Sequence, residues 1–250
     1  MPIVVRRGSD GSGEKGAYLF VHGSPGDHRV FDKLAARAPR DAHVALVDLP
    51  DHGRAPDELG LGLEPFEEDL VACVQALPKG RTTVVGSSFG GHIAARLMAR
   101  IAPNVTRAVL IDSFASVPGE MAARQSALAD QIEMGQLDGP TMEALAVDLF
   151  LGGEGDPGDV EVVRATVRDC PRPRLVRSCR RLARLHAAQL VRFDVPTIVI
   201  HSKDDAAVPY ALAPTLAACG TNTRLLGLDG RSHYPQMTRV DTVADIVFGA

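Results

Sequence analysis

The sequence predicts an α/β protein: a mostly parallel, doubly wound sheet carrying an inserted helical lid. Three observations predict it. Short runs rich in Val, Ile and Leu alternate with amphipathic stretches along most of the chain. A glycine-rich turn with serine at its centre, Gly86-Ser87-Ser88-Phe89-Gly90, separates one such run from a helical pattern. One long segment, 114–191, carries helical periodicity and no strand signal.

The elements follow in order. A first strand at Ile3–Arg6 is expected at the sheet edge. Further strands are predicted at Ala17–Val21, Val44–Asp48, Thr82–Val85, Ala108–Ile111, Thr197–His201 and Arg224–Leu228. These runs are nearly all apolar, the pattern of parallel strands covered on both faces. Helices are predicted between them at Val30–Arg37, Pro65–Leu77, Gly91–Ile101, Tyr210–Ala218 and Val240–Phe248. Such alternation implies right-handed βαβ units. Within 114–191, punctuation at Gly139-Pro140, at 152–158 and at 171–173 marks off roughly four helices. The expected division is a core of 1–113 and 192–250, with 114–191 as the insertion. An insertion at the strand ends overhangs the place where open sheets bind ligands, which makes it a lid.

Composition narrows the function classes. A chain of 250 residues with 45% hydrophobic and 23% charged residues is ordinary for one large globular domain. A formal charge of −4 supplies no global basic field for nucleic acid. Cys73, Cys170, Cys179 and Cys219 fit no zinc spacing, which points to a reduced setting. The N-terminus lacks a secretory h-region, and no apolar run nears the ~18 residues of a membrane span. A cytoplasmic protein with no membrane contact is expected, and no metal or organic cofactor is implied.

The chemistry starts at Ser88. A Gly-x-Ser-x-Gly between strand and helix forces a tight turn that lifts the serine hydroxyl above the sheet. The register is set by the glycines: centring the motif on Ser87 would need glycine at Val85 and Phe89. The helix behind it offers unpaired N–H groups to a developing oxyanion. His22-Gly23-Ser24-Pro25-Gly26 follows the strand at 17–21 and can turn a second N–H toward the same place. The expected oxyanion hole is therefore the main-chain N–H of Ser24 and of Phe89, each worth about 3 kcal/mol in a transition state. His233, in the loop after the last strand, is the candidate general base, because it falls at the same sheet edge as Ser88. The orienting acid should follow the penultimate strand, where Asp204 and Asp205 are adjacent, with Asp112 a third candidate.

Five segments together resemble the α/β-hydrolase superfamily, in its serine-nucleophile branch of esterases, C–C hydrolases and perhydrolases. They are HGSPG at 22–26, DLPDHGRA at 48–55, GSSFGG at 86–91, HSKDDAAVP at 201–209 and GRSHYP at 230–235. The resemblance implies the α/β-hydrolase fold and selects Asp205 as the acid, since members carry aspartate three residues before Val-Pro. Dehalogenases and epoxide hydrolases of this fold use aspartate at the elbow, so Ser88 argues against both. Two positions depart from the pattern. Asp51 stands where the family has glycine, and Ser202 stands where glycine precedes the acid.

The implied activity is hydrolysis of a carboxylic ester of small to medium size through an acyl-enzyme on Ser88. The same triad serves C–C hydrolases, thioesterases and lactonases, and less directly prolyl aminopeptidases, perhydrolases and non-catalytic ligand-binding homologues. Between 164 and 184 the insertion holds eight arginines against one acid, a local balance of +7. Read plainly, these are solvated helix faces. Read more sharply, Arg177 and Arg181 form a basic surface for an anionic substrate or an acidic carrier protein. Leu128, Ile132, Leu145, Leu149, Phe150, Val163 and Val167 form the apolar face expected to cap an acyl pocket.

Overall fold

Among the described residues, seven strands hydrogen-bond into one sheet. They are β1 (Ile3–Arg7), β2 (Ala17–Val21), β3 (His43–Asp48), β4 (Thr82–Ser87), β5 (Val105–Ile111), β6 (Thr197–Ser202) and β7 (Thr223–Leu228). Their spatial order is β1-β3-β2-β4-β5-β6-β7. Only β1 runs antiparallel, with Ile3 opposite Asp48 on β3. The computed structural model describes residues 3–7, 16–78, 81–187 and 192–249.

Strands β2 and β4 are buried along their whole length because both faces are covered. On β2, Leu19 and Val21 join one apolar cluster with Phe66, Phe89 and Ile93, whereas Tyr18 and Phe20 join another with Phe31, Leu34 and Val247. Alternation along the strand thus divides the core into the two layers of a doubly wound fold. At the far edge β7 is only partly buried.

The helices of the core are α1 (Asp32–Ala35), α2 (Glu64–Gln75), α3 (Phe89–Ile101), α8 (Ala213–Ala217), α9 (Pro235–Thr238) and α10 (Val240–Phe248). Two differ from expectation. The helix expected over Val30–Arg37 is a 3-10 turn at His28–Phe31 leading into one turn of α1. The one expected over Tyr210–Ala218 is likewise a 3-10 turn leading into short α8. Apolar spacing over so few residues does not separate the two helical pitches. The unexpected α9 begins at Pro235, whose fixed φ suits a first helical position.

Between β5 and β6 lie α4 (Gly119–Glu133), α5 (Gly139–Leu151), α6 (Pro157–Arg168) and α7 (Arg172–Arg184). Local chemistry sets their ends. Asp138 caps α5 by accepting from Thr141 N–H at 2.8 Å, and α5 stops at Gly152 with φ 58°. Asp156 and Asp159 form a reciprocal capping box at the start of α6. α4 packs on α7 and α5 on α6. The last expected residues of the insertion, 188–191, lie outside the described residues. No helix among the described residues is long and apolar enough to cross a membrane. All four cysteines are free.

Candidate active site

Ser88 ends the turn between β4 and α3 with φ 51° and ψ −120°, a conformation L-residues rarely adopt. Its surroundings hold it there. Ser88 N–H donates to the Ile111 carbonyl at 2.8 Å, and its own carbonyl accepts from Ser113 Oγ at 2.7 Å. Gly90 has no room for a side chain, since a Cβ would strike the carbonyl oxygens of Val21 and His22. On the facing loop, a Cβ on Gly23 would stand 2.7 Å from the Ser88 Cβ.

His233 and Asp205 meet. His233 Nδ1 lies 2.7 Å from Asp205 Oδ2, and Asp205 Oδ1 accepts from the N–H of Ala207 at 2.8 Å and of Val208 at 3.1 Å. A carboxylate only accepts, so Nδ1 carries the proton and Nε2 offers the lone pair. The neighbouring Asp204 is exposed and does not share the site. Asp112 is buried beneath the pair. It accepts from Ser202 N–H at 2.6 Å and lies 3.8 Å from His201 Nε2. Burial, and then the charge of Asp205, push its carboxyl well above the usual range. His201 donates from Nε2 to the Val208 carbonyl at 2.8 Å, and burial lowers its pKa.

Ser24 follows β2 in a loop pinned by His22, which accepts from Leu49 N–H at Nε2 (3.0 Å) and donates from Nδ1 to the Gly23 carbonyl (2.7 Å). The Ser24 hydroxyl bonds His52 Nε2 at 2.9 Å and Ser178 Oγ on α7. Phe89 is the first residue of α3, where N–H groups have no intrahelical acceptor.

Ser24, Ser88 and His233 line one cavity of about 390 Å³. Its walls are mainly apolar and draw on all four inserted helices, among them Met121, Leu145, Phe150, Val167 and Leu182, with Gln125, Asp148 and Ser178 also on the lining. Of the apolar face expected from the sequence, Leu128, Ile132, Leu145, Leu149, Phe150 and Val167 line the cavity. Val163 instead packs in the adjoining core. Leu145 and Leu149 are 50% and 37% exposed.

The arginines singled out in the insertion already have partners within the chain. Arg181 is 1% exposed, with its guanidinium 4.5 Å above the Phe66 ring and Nη2 3.0 Å from Asp51 Oδ2. Arg177 forks onto the same carboxylate at 2.5 and 3.0 Å. Arg181 is closed to solvent, whereas the Arg177 side chain stays 17% exposed. Arg174 pairs with Asp57, Arg180 with Glu133 and Arg168 with Glu161. The acids that neutralise this segment come mostly from other parts of the chain, so a local charge count overstates the field. Asp51 itself has φ 68°. Burial raises its carboxyl, but the hydrogen bonds from Arg177, Glu58 N–H and Arg181 more than offset that and hold it low. The signal for this hub was an acid in place of glycine within DLPDHGRA; its partners are 126 and 130 residues away. His52 and Ser178 carry no signal of their own in the sequence.

Among the described residues, two buried clusters hold donor atoms within 4.8 Å of one another, Asp27-His28-Asp48 and Asp112-His201-Asp205. Their carboxylates are already committed: Asp48 to the His28 ring, Asp27 to Arg29, and Asp205 to His233. Neither is an open ligand set.

A family model described as "Alpha/beta hydrolase family" matches residues 18–246. A pimeloyl-[acyl-carrier protein] methyl ester esterase of Vibrio atlanticus (strain LGP32) is 27% identical over 92% of this chain and 92% of its own length. A serine hydrolase-like protein of Danio rerio is 28% identical, but over 41% of this chain and 32% of that protein. Among solved structures, an enol-lactonase from Burkholderia xenovorans LB400 superimposes with a TM-score of 0.82 at 20% identity, covering 98% of this chain and 94% of the other.

Proposed function

The chain belongs to the alpha/beta hydrolase family, and from that premise we propose that it is a serine hydrolase cleaving a carboxylic ester of small to medium size. The observation that carries this reading is the convergence of Ser88 and an Asp205-bound His233 on one apolar cavity. Ser88 Oγ attacks the carbonyl while His233 Nε2 takes its proton. Asp205 keeps the imidazole in the required tautomer and stabilises its charged form. The oxyanion rests on the N–H groups of Ser24 and Phe89. His233 then protonates the leaving alcohol, and a water molecule activated by His233 hydrolyses the acyl-enzyme.

The four inserted helices act as the lid, and their apolar walls receive the acyl chain. The relative named as a methyl ester esterase makes methyl esters of medium-chain acids the first substrates to try. Thioesters, lactones and a dienoate belong in the same panel, because the triad alone does not choose among them. A carrier-borne ester gains no support from Arg177 and Arg181, which face Asp51.

A fluorophosphonate probe tests the reading. The expected result is stoichiometric labelling of the peptide containing Ser88, loss of labelling in Ser88→Ala, and turnover of p-nitrophenyl esters. Absence of both labelling and hydrolysis across the panel would refute it.

A further inference from the structure

We propose that Ser178 and His52 are positioning residues for the oxyanion hole, so that the inserted helix α7 completes a site whose reacting groups all lie in the core. The inference rests on the serine-hydrolase reading above and extends it to how the Ser24 N–H is held.

The chain of hydrogen bonds runs one way, and its far end sets the direction. His52 Nδ1 lies 2.8 Å from the Pro50 carbonyl. A carbonyl cannot donate, so Nδ1 carries a proton. Burial, reinforced by the nearby His22, lowers the pKa of His52 to about 3, so the ring is neutral at working pH. Its Nε2 is therefore a lone pair and accepts the Ser24 hydroxyl proton at 2.9 Å. The Ser24 oxygen, with its O–H directed at His52, accepts from Ser178. The protons point from Ser178 to Ser24, to His52, to Pro50.

All three side chains are buried, with Ser178 5%, Ser24 7% and His52 1% exposed. The hydroxyl of Ser24 is thus fastened on both sides while its main chain passes beside the nucleophile. The adjoining Gly23 is so near that any Cβ there would collide with Ser88. An oxyanion donor must stand about 2.7–3.1 Å from the developing charge, and small displacements weaken it. A second link runs in parallel. Arg177 and Arg181, one helical turn apart on α7 and flanking Ser178 in sequence, grip Asp51, the residue before His52. Both links join α7 to the loop that holds Ser24.

The test uses the purified 250-residue chain and five variants: Ser178→Ala, Ser24→Ala, the Ser24→Ala/Ser178→Ala double, His52→Gln and His52→Phe. Each retains every main-chain N–H. Wild type is first labelled with a fluorophosphonate and assayed; failure there refutes the underlying reading. Given an active wild type, Ser178→Ala is expected to lower kcat about tenfold with KM within about twofold. Inhibition by an alkylboronic acid, whose tetrahedral adduct carries the oxyanion, should weaken in step. Because Ser178 acts through Ser24, the double variant should be no slower than Ser24→Ala alone. His52→Gln, which can offer an amide oxygen near the position of Nε2, should retain more activity than His52→Phe. Additive losses in the double variant, unchanged boronate affinity, or kcat within twofold of wild type in Ser178→Ala would each overturn the inference. Ser178→Ala removes one exchangeable hydroxyl and no packing volume of note, so it reports even if a His52 variant fails to fold.

Discussion

The main-chain N–H of His233 donates to the carbonyl of Phe150 at 2.8 Å, fastening the loop that carries the imidazole to the end of α5. Ser232 Oγ reaches the same carbonyl at 3.3 Å, and the Phe150 and His233 rings lie 5.7 Å apart. One residue further back, Arg231 N–H donates to Glu154 at 2.8 Å. Phe150→Ala keeps the carbonyl but removes the ring that packs on His233 and Tyr234. It should cost about 3 kcal/mol of stability, the low end for a buried phenylalanine, and lower kcat more than it raises KM. Urea denaturation and steady-state kinetics check this. Unaltered kcat would mean that the ring does not steady the imidazole.

Asp205→Asn leaves the shape of the loop nearly intact but offers an N–H where His233 needs an acceptor. Activity is expected to fall on the order of 10⁴-fold, the scale seen when a triad acid becomes an amide. Asp204→Asn, at an exposed position, should stay within about twofold of wild type. Equal losses in the two would argue that the loop, and not the carboxylate, matters.

Asp112 gives a pH-dependent stability with a definite sign. Burial and the charge of Asp205 raise its folded pKa well above the ordinary 3.8. Below 3.8 both folded and unfolded forms are protonated, and no cost arises. Above it the unfolded chain ionises while the folded carboxyl resists, so stability is lost as pH rises toward the folded value. Asp112→Asn can keep the bond to Ser202 N–H without this cost. Its gain in Tm over wild type should therefore be larger at pH 7 than at pH 4. An equal gain at both values would contradict the assignment.

The buried histidines act in the opposite direction. Burial lowers His52 to about 3 and His92 to about 4, and lowers His22 and His201 as well. The unfolded chain takes up protons below about 6.5 that the folded chain refuses, each unit of separation being worth about 1.4 kcal/mol per group. Stability should fall as pH drops from 6.5 toward 4. His28, raised chiefly by its bond to Asp48, opposes this in part. Urea midpoints at pH 7.0, 5.5 and 4.5 measure the balance, and a flat profile would count against it.

Removing Arg181 leaves the buried Asp51 carboxylate with one partner fewer. Arg181→Ala should cost about 3 kcal/mol, as when one half of a buried ion pair is deleted. It should leave the preference between anionic and neutral esters unchanged, and wild-type kcat/KM for anionic esters should vary little with salt. A steep salt dependence would restore a role for the arginines in attracting substrate.

Most of the sheet was legible because each strand is a continuous apolar run, a signal that depends only on neighbours in sequence. The elbow at Ser88 was legible for the same reason: glycine, serine and glycine form the turn where they stand. Asp205 was not separable from Asp204 by spacing, because which of two adjacent residues turns inward depends on the packing of Val208 and the loop beneath it. Of the Asp51 hub, only the acid in place of glycine was readable. Its partners on α7 lie far along the chain, and eight arginines in a row of helices look like solvent-facing charge until the acids that meet them are known. The link from Ser178 to His52 was hidden likewise, since hydroxyls and imidazoles far apart in sequence carry no periodic signature.

The insertion is secured at two separate margins, by α7 on Asp51 and by the end of α5 on the loop before and at His233. If the four helices act as the proposed lid, a segment pinned twice is expected not to swing as a single flap. Leu145 and Leu149 line the cavity and are also partly exposed, and their rotations take nanoseconds where domain motions take microseconds or longer. Ligand capture followed by stopped flow is therefore expected to give a single fast exponential, with bulk excluded by aperture and not by a slow conformational clock.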